Sequence, residues 1–433
     1  MRVLAVSPRF APANGADTHR LRLLLNHAVA NGWQVEVLSV DSSDVVGPVD
    51  PWLVASLPVA VPSHLVRALR LNGWGLSGLA QRSIWPLYRR GCALLATRKF
   101  DLVFFSTTEF PLHVLGPLWQ SKFGVPFCMD YQDPWVNDYY HLHRNVTPPG
   151  GRVKHAVAHQ LHRLAERYVV RSCAGFLSVS AAYLADLDRR YGGAVRGKPK
   201  LVRPFPAEPA ELEKLDPALG STDLAVGMPG SAVWRYIGRG GSDMQKAARA
   251  FFAAWDVAVG RGHLELDGVR FEALGTSYAA AGQGIKTFEP LVAGTGMAAR
   301  VTESPDRLGY SGMLRVLLAS DALVVFGSDD AAYTASKIYP YLLAGKPLLA
   351  IFHEESSVVK LMREVGGGAC VTFNQHTTPD QLAERIGESW FQSGQFRRPM
   401  LLNRQAFEPY TAQRQAQEVG QWFKEVLAHA RGN

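Results

Sequence analysis

The chain has 433 residues, 47% hydrophobic and 19% charged, which is too long for one ordinary core and long enough for two domains. Its formal net charge of +8 favours anionic partners: phosphorylated substrates, anionic lipid headgroups or nucleic acid. Nucleic acid is the weakest of these, because zinc-finger spacing, RNP-type aromatic motifs and long Lys/Arg runs are missing, and no apolar run reaches the ~18 residues of a membrane span.

The opening Met1-Arg2-Val3-Leu4-Ala5-Val6 is too short an apolar run for a signal peptide and reads as a first strand. Leu21 to Ala30 has helical spacing and stops at Gly32. Val35–Val40 and Leu102–Ser106 are strands, followed by a helical segment and then Pro126–Met129. A long helix runs from about Val153 to Arg171 into the strand Gly175–Val179. This β–loop–α rhythm predicts a parallel, doubly wound sheet, whose ligands bind beyond the strand C-termini. Residues 203–231 hold Pro204, Pro206, Pro209, Pro217 and Pro229 and read as a linker. The rhythm then restarts with strand Trp234–Ile237, helix Met244–Val259 and strands Val269–Leu274 and Ala322–Phe326. A final amphipathic helix spans about Thr411 to Ala430. The expected domains are 1–205, a hinge at 206–231, 232–410, and a helix at 411–433 packing back on the first domain. Two such domains would face each other across a cleft.

Ser336 to Ala350 reads as a short helix, a glycine stop at Gly345 and a buried strand from Leu348. Ser336 can cap the helix, Pro347 keeps it from resuming, and Lys337 adds a cation where helix N–H groups suit a phosphate. A plain αβ unit gives the same pattern. The loop Gly238-Arg239-Gly240-Gly241-Ser242-Asp243-Met244-Gln245-Lys246 lets backbone N–H groups surround a phosphate, with Arg239 and Lys246 able to neutralise a diphosphate. It is not a Walker loop, and a flexible turn is the alternative.

In the first half, the loop Pro8–Arg20 lacks the three-glycine dinucleotide fingerprint. Gly15, His19 and Arg20 in it are candidates to face a substrate, with a surface turn as the alternative. Asp130 and Asp133 can accept from sugar hydroxyls and Trp135 can stack on a sugar face; the alternative is that Asp133 simply caps a turn before Pro134. His141-Leu142-His143 is too closely spaced for a metal site, and none is expected. Cys92, Cys128, Cys173 and Cys370 read as reduced thiols of a cytoplasmic protein. Leu65–Trp74 with Trp85–Arg90 mixes bases, aromatics and aliphatics. It suits either an anionic membrane surface or a core-facing helix with a basic outer face.

Together these motifs resemble a GT-B glycosyltransferase similar to family 4, over nearly the whole chain. The resemblance rests on Asn31–Leu38 after the first glycine loop, Asp130-Tyr131-Gln132-Asp133-Pro134-Trp135, Leu177-Ser178-Val179-Ser180, Gly238-Arg239 with Lys246, and Ser336–Pro347. It implies transfer of a sugar from a nucleotide-sugar co-substrate, without a cofactor or metal and with retention, to a glycan or lipid-linked hydroxyl acceptor at the inner face of a membrane. Arg239 and Lys246 would stabilise the leaving diphosphate, with Asp133 as a catalytic carboxylate. Gly238, Gly240, Gly241, Ser336, Lys337 and Tyr339 would line the donor site. The family's Glu-x7-Glu motif is replaced by Ala332 and Pro340, which makes Asp329 and Asp330 the candidates for donor hydroxyls. A sugar-nucleotide epimerase or a non-catalytic binding subunit of the same fold are the rival readings.

Overall fold

The computed structural model describes residues 1–57, 61–70, 78–138, 151–215, 232–330 and 337–432. The chain forms two compact units, Met1–Glu208 with Tyr410–Asn433, and Pro209–Pro409. Of the expected hinge, residues 209–215 belong to the second unit and 216–231 lie outside the described residues.

The first unit is a seven-stranded parallel sheet in the order β3-β2-β1-β4-β5-β6-β7. Its strands are β1 (Arg2–Val6), β2 (Gln34–Val40), β3 (Ser63–Val66), β4 (Leu102–Ser106), β5 (Phe127–Tyr131), β6 (Gly175–Ser178) and β7 (Lys200–Val202). Side chains alternate across a strand, so β1 and β4 feed two cores. Leu4, Val6, Val103 and Phe105 face one layer, and Val3, Ala5, Leu102 and Phe104 the other. The first layer holds α2 (Leu79–Thr97), α3 (Leu115–Phe123), α4 (Arg152–Ser172) and α5 (Ala181–Val195). The second holds α1 (Ala16–Ala28) and the helix Ala412–Gly432, which returns from the far end of the chain. There Phe423 meets Trp33 and Phe104 edge-on, each at 5.2 Å between ring centroids. Burial of that ring contributes about 1.5–3 kcal/mol.

The second unit is a six-stranded parallel sheet in the order β10-β9-β8-β11-β12-β13. Its strands are β8 (Val233–Ile237), β9 (Arg270–Leu274), β10 (Val301–Ser304), β11 (Ala322–Phe326), β12 (Leu348–His353) and β13 (Ala369–Phe373). Five helices of this unit concern the site and its support: α6 (Gln245–Gly260), α7 (Tyr310–Leu318), α8 (Ile338–Leu343), α9 (Ser357–Val365) and α10 (Pro379–Ile386), which makes the chain-terminal helix α11. Trp234 anchors the core against Trp255 and Trp390, at 5.7 and 5.8 Å. In each sheet the strand order reverses once, between β1 and β4 and between β8 and β11, and ligands of such sheets lie at that reversal beyond the carboxyl ends.

Three features depart from the sequence reading. Leu65 and Val66 end strand β3, and residues 71–74 lie outside the described residues, so the basic-aromatic segment is not one helix. Arg67 within it is forked onto Asp44 at 2.7 and 3.2 Å. The helix expected from Ser336 is six residues long, too short to present an N-terminal anion site of its own; Ser336 and Ala332 lie outside the described residues. Pro340 sits in its first turn, where no intrahelical N–H bond is required, and Gly345 closes it at φ 65°.

Candidate functional site

At the carboxyl end of β8 the chain turns through Gly238–Gly241 into α6. Gly238 donates its N–H to the Leu274 carbonyl at 3.1 Å and Gly240 to that of Thr276 at 2.7 Å, which pins the loop to the exit of β9. The glycines are required by the protein's own packing. A Cβ on Gly238 would lie 2.5 Å from the Tyr236 hydroxyl, and one on Gly240 would overlap the Thr287 side chain. The reading of Gly238, Gly240 and Gly241 as a cradle opened for phosphate is corrected to that extent: Tyr236, Thr287 and Asp243 occupy the space their missing side chains leave. Tyr236 also donates its hydroxyl to the Arg239 carbonyl at 2.7 Å. The neighbouring segment is fixed by Glu303, whose carboxylate accepts the N–H groups of Thr287, Phe288 and Glu289.

Arg239 forks onto Asp243 at 3.0 and 2.6 Å. Burial pushes the Asp243 carboxyl up, but hydrogen bonds from Arg239 and Ser328 outweigh it and hold the group below its ordinary range. The Asp243 carbonyl accepts the Asp329 N–H at 2.9 Å, tying the entry of α6 to the end of β11. Lys246, the second residue of α6, donates to the Asn374 carbonyl at 2.7 Å beyond β13, and its ammonium lies 5.4 Å from the Phe373 ring centre.

Lys337 precedes α8. The residue is partly exposed, but protein surrounds its ammonium end, and that desolvation, with Arg307 and Arg239 as positive neighbours, lowers its pKa to about 7. Among the described residues it has no hydrogen bond or ion pair. Arg307, in the loop after β10, stacks 4.5 Å over the Tyr278 ring centre, and its buried Nη1 has no hydrogen-bond partner among the described residues. Among the described residues the site therefore brings three cations together with Asp243, which is committed to Arg239, and with Asp329 beside it. Arg307 escaped the sequence reading: Pro305 and Gly309 mark its loop as a turn, but nothing in it marks a phosphate site.

Asp329 and Asp330 stand exposed at the end of β11. Burial of its surroundings, then Asp243 and Asp330, raise the Asp329 carboxyl. Tyr339 is a correction. It is 6% exposed and packs against Phe407 at 6.3 Å, inside the unit rather than toward a ligand.

In the first unit, Arg20 is also corrected. It has no exposed surface, and its Nε donates to Asp130 at 3.1 Å. Asp130 accepts as well from Ser106 at 3.0 Å and Gln132 at 3.2 Å, so it and Gln132 form an internal network below the loops. Trp135 does not present a face to a sugar. It is 4% exposed and stacks on Phe110 at 5.9 Å beside His113. Gly15 precedes α1 in extended backbone, and His19 meets Asn14 at 2.7 Å. Asp133 is exposed, makes no hydrogen bond or ion pair among the described residues, and its partly desolvated carboxyl is raised. Among the described residues no group of three or more His, Cys, Asp or Glu side chains is placed to hold a metal.

Residues 15–202 match the family model of the glycosyl transferase 4-like domain. Over these residues the chain is similar to that domain. The chain as a whole has the GT-B fold, two parallel-sheet α/β units. HepE from Anabaena, solved with UDP-glucose, is similar over 100% of this chain and 98% of its own, at 14% identity and a TM-score of 0.54. WaaG, a glycosyltransferase involved in lipopolysaccharide biosynthesis, is similar over 99% and 98%, at 12% identity and a TM-score of 0.54. A trehalose-6-phosphate protein from E. coli, bound with UDP-2-fluoro glucose, is similar over 100% of this chain and 98% of its own, at 12% identity and a TM-score of 0.57. No curated protein sequence matches the chain. At these identities the GT-B likeness is one of fold, and the likeness to the 4-like domain rests on residues 15–202.

Proposed function

We propose that the protein transfers a sugar from a nucleotide-sugar donor to a hydroxyl acceptor, binding the donor diphosphate in its second unit. The observation that carries this reading is Lys337, desolvated with Arg307 and Arg239 as positive neighbours and with no carboxylate paired to it among the described residues. A lysine so placed is costly in the empty site, and a bound dianion would offset the cost. The charge that develops on a departing diphosphate is what such fixed cations stabilise as the bond to the anomeric carbon breaks. Nucleotide-sugar complexes of HepE support the same donor class.

The finer reading is a hexosyl transfer with retention, in polysaccharide or glycolipid assembly. Asp133 is its catalytic carboxylate, and Arg239, Lys246, Lys337 and Arg307 are its diphosphate group. The test is release of nucleoside diphosphate from a panel of nucleotide sugars, with and without hydroxyl acceptors. Acceptor-dependent release supports transfer. Interconversion of the sugar without release would make the protein an epimerase.

The absence of the paired glutamates, replaced by Ala332 and Pro340, favours a second reading: a subunit that binds nucleotide sugar without turning it over. Calorimetric binding with no release from any donor would establish it.

A further inference from the structure

Helix α4 (Arg152–Ser172) is apolar on the wrong side for a globular helix. Its core face carries Glu166, Val169 and Val170, all 0% exposed. On the opposite face Val153, Val157, Leu161, Leu164 and Tyr168 are exposed by 81, 57, 60, 64 and 49%. Their steps along the chain are four, four, three and four residues, so at 3.6 residues per turn they form one stripe about 80° wide. Such a stripe does nothing for the core, and contiguous apolar surface of this kind marks an interaction site.

One flank of the stripe is a row of arginines. Arg163, Arg167 and Arg171 recur every four residues, are exposed, and make no side-chain ion pair among the described residues. They line a cavity of about 890 Å³ between α4 and α5, together with Arg190 and the backbone of Gly192 and Gly193. The helix has one acidic residue, Glu166, which is buried and accepts from Tyr131 and Tyr191 at 3.2 and 2.9 Å. No helix among the described residues is long and apolar enough to cross a membrane. An apolar stripe with a cationic flank and low overall hydrophobicity is the chemistry of a helix that lies in the membrane interface.

We propose that α4 docks the protein on an anionic lipid surface, the stripe entering the headgroup–acyl boundary and the arginine row binding headgroup phosphates. A second copy of the chain fits this face poorly, because a two-fold contact through the stripe would bring two arginine rows together. The earlier candidate segment, Leu65–Trp74 with Trp85–Arg90, has a weaker claim, since Arg67 is already paired. The proposal is independent of the donor reading, because binding is read without turnover.

The experiment is flotation of the full chain with vesicles of phosphatidylcholine alone or mixed equally with phosphatidylglycerol. Binding is expected to the mixed vesicles only, falling severalfold as salt rises from about 0.1 to 0.5 M. Leu161→Glu with Leu164→Glu should cut partitioning about tenfold or more, with an unchanged circular dichroism spectrum. Arg163→Gln with Arg167→Gln should flatten the salt dependence. Leu401→Glu, at a leucine 84% exposed in the second unit, is the matched control and should bind as the unaltered protein does. Equal binding to both vesicle types, equal loss in the control, or no vesicle binding by the unaltered protein overturns the proposal. So does protection by inorganic phosphate in a thermal melt without flotation, which would mark a soluble-anion site. A concentration-dependent dimer, abolished by the leucine substitutions and without vesicle binding, would overturn it in favour of a second copy. If the leucine variants fail to fold, the two vesicle types and the salt series decide on the unaltered chain.

Discussion

Arg20 and Asp130, 110 positions apart in the chain, form an ion pair whose side chains have no exposed surface at all. The pair ties α1 to the carboxyl end of β5, immediately below the loops that the first unit offers a ligand. Removing one partner leaves the other charge buried and alone. Asp130→Ala is therefore expected to destabilise the first unit by about 3–5 kcal/mol in urea unfolding, with nucleotide affinity of the surviving folded protein unchanged.

In the second unit the expectation reverses. Arg239→Ala should weaken nucleotide-sugar binding by about 1.5–3 kcal/mol, the range for one charge-assisted hydrogen bond. Arg307→Ala should fall in the same range. Isothermal calorimetry checks both, and unchanged affinity in either variant removes that arginine from the site.

Lys337 makes the empty site sensitive to pH. Its folded pKa, about 7, lies below the ordinary lysine value of 10.5. Between those two values the unfolded chain holds a proton that the folded protein lacks, so stability rises as pH increases through that window. Lys337→Met should raise the thermal midpoint at neutral pH, and the gain should vanish toward pH 10.5. Binding of a nucleoside diphosphate near pH 8 should be accompanied by proton uptake, measurable by calorimetry in buffers of different ionisation enthalpy.

His113 gives the first unit an acid limit. Burial lowers its pKa to about 4, against 6.5 for an ordinary imidazole, and the hydrogen bond to the Phe110 carbonyl only partly opposes this. The unfolded chain takes up a proton below 6.5 that the folded protein refuses until about 4. Stability should fall as pH drops through that interval, and His113→Gln should flatten the profile in chemical denaturation.

Asp329→Asn and Asp330→Asn test whether the loop after β11 reads donor hydroxyls in place of the missing glutamates. Each should lower the rate of sugar transfer by about tenfold or more, the loss of one hydrogen bond to a charged group. Full rates in both variants would remove these aspartates from recognition.

The strands covered on both faces were plain in the sequence. Leu102–Ser106 and Ala322–Phe326 have the bounds that their apolar runs predict, because every position is buried. The strands β10 and β13 are not legible in the sequence: at the sheet edges β10 alternates buried and exposed residues and β13 buried and half-buried ones, so no apolar run betrays them. Sequence also locates a loop without saying which way its side chains turn. Arg20 and Trp135 stand at the ligand edge, yet one points down to Asp130 and the other into a stack with Phe110. Arg307 shows the converse. Its place beside Lys337 arises from β10 and β11 lying in one sheet, a proximity that no local motif encodes.

Helix α11 completes a core begun some four hundred residues earlier, setting Phe423 against Trp33 and Phe104. During synthesis, the face of β1 and β4 that it covers must wait, greasy and open, while the whole second unit is translated. At about 5–20 residues per second that wait lasts tens of seconds, long enough for a chaperone to occupy the vacancy. The second unit carries no such debt to the chain's last residues and is free to fold first.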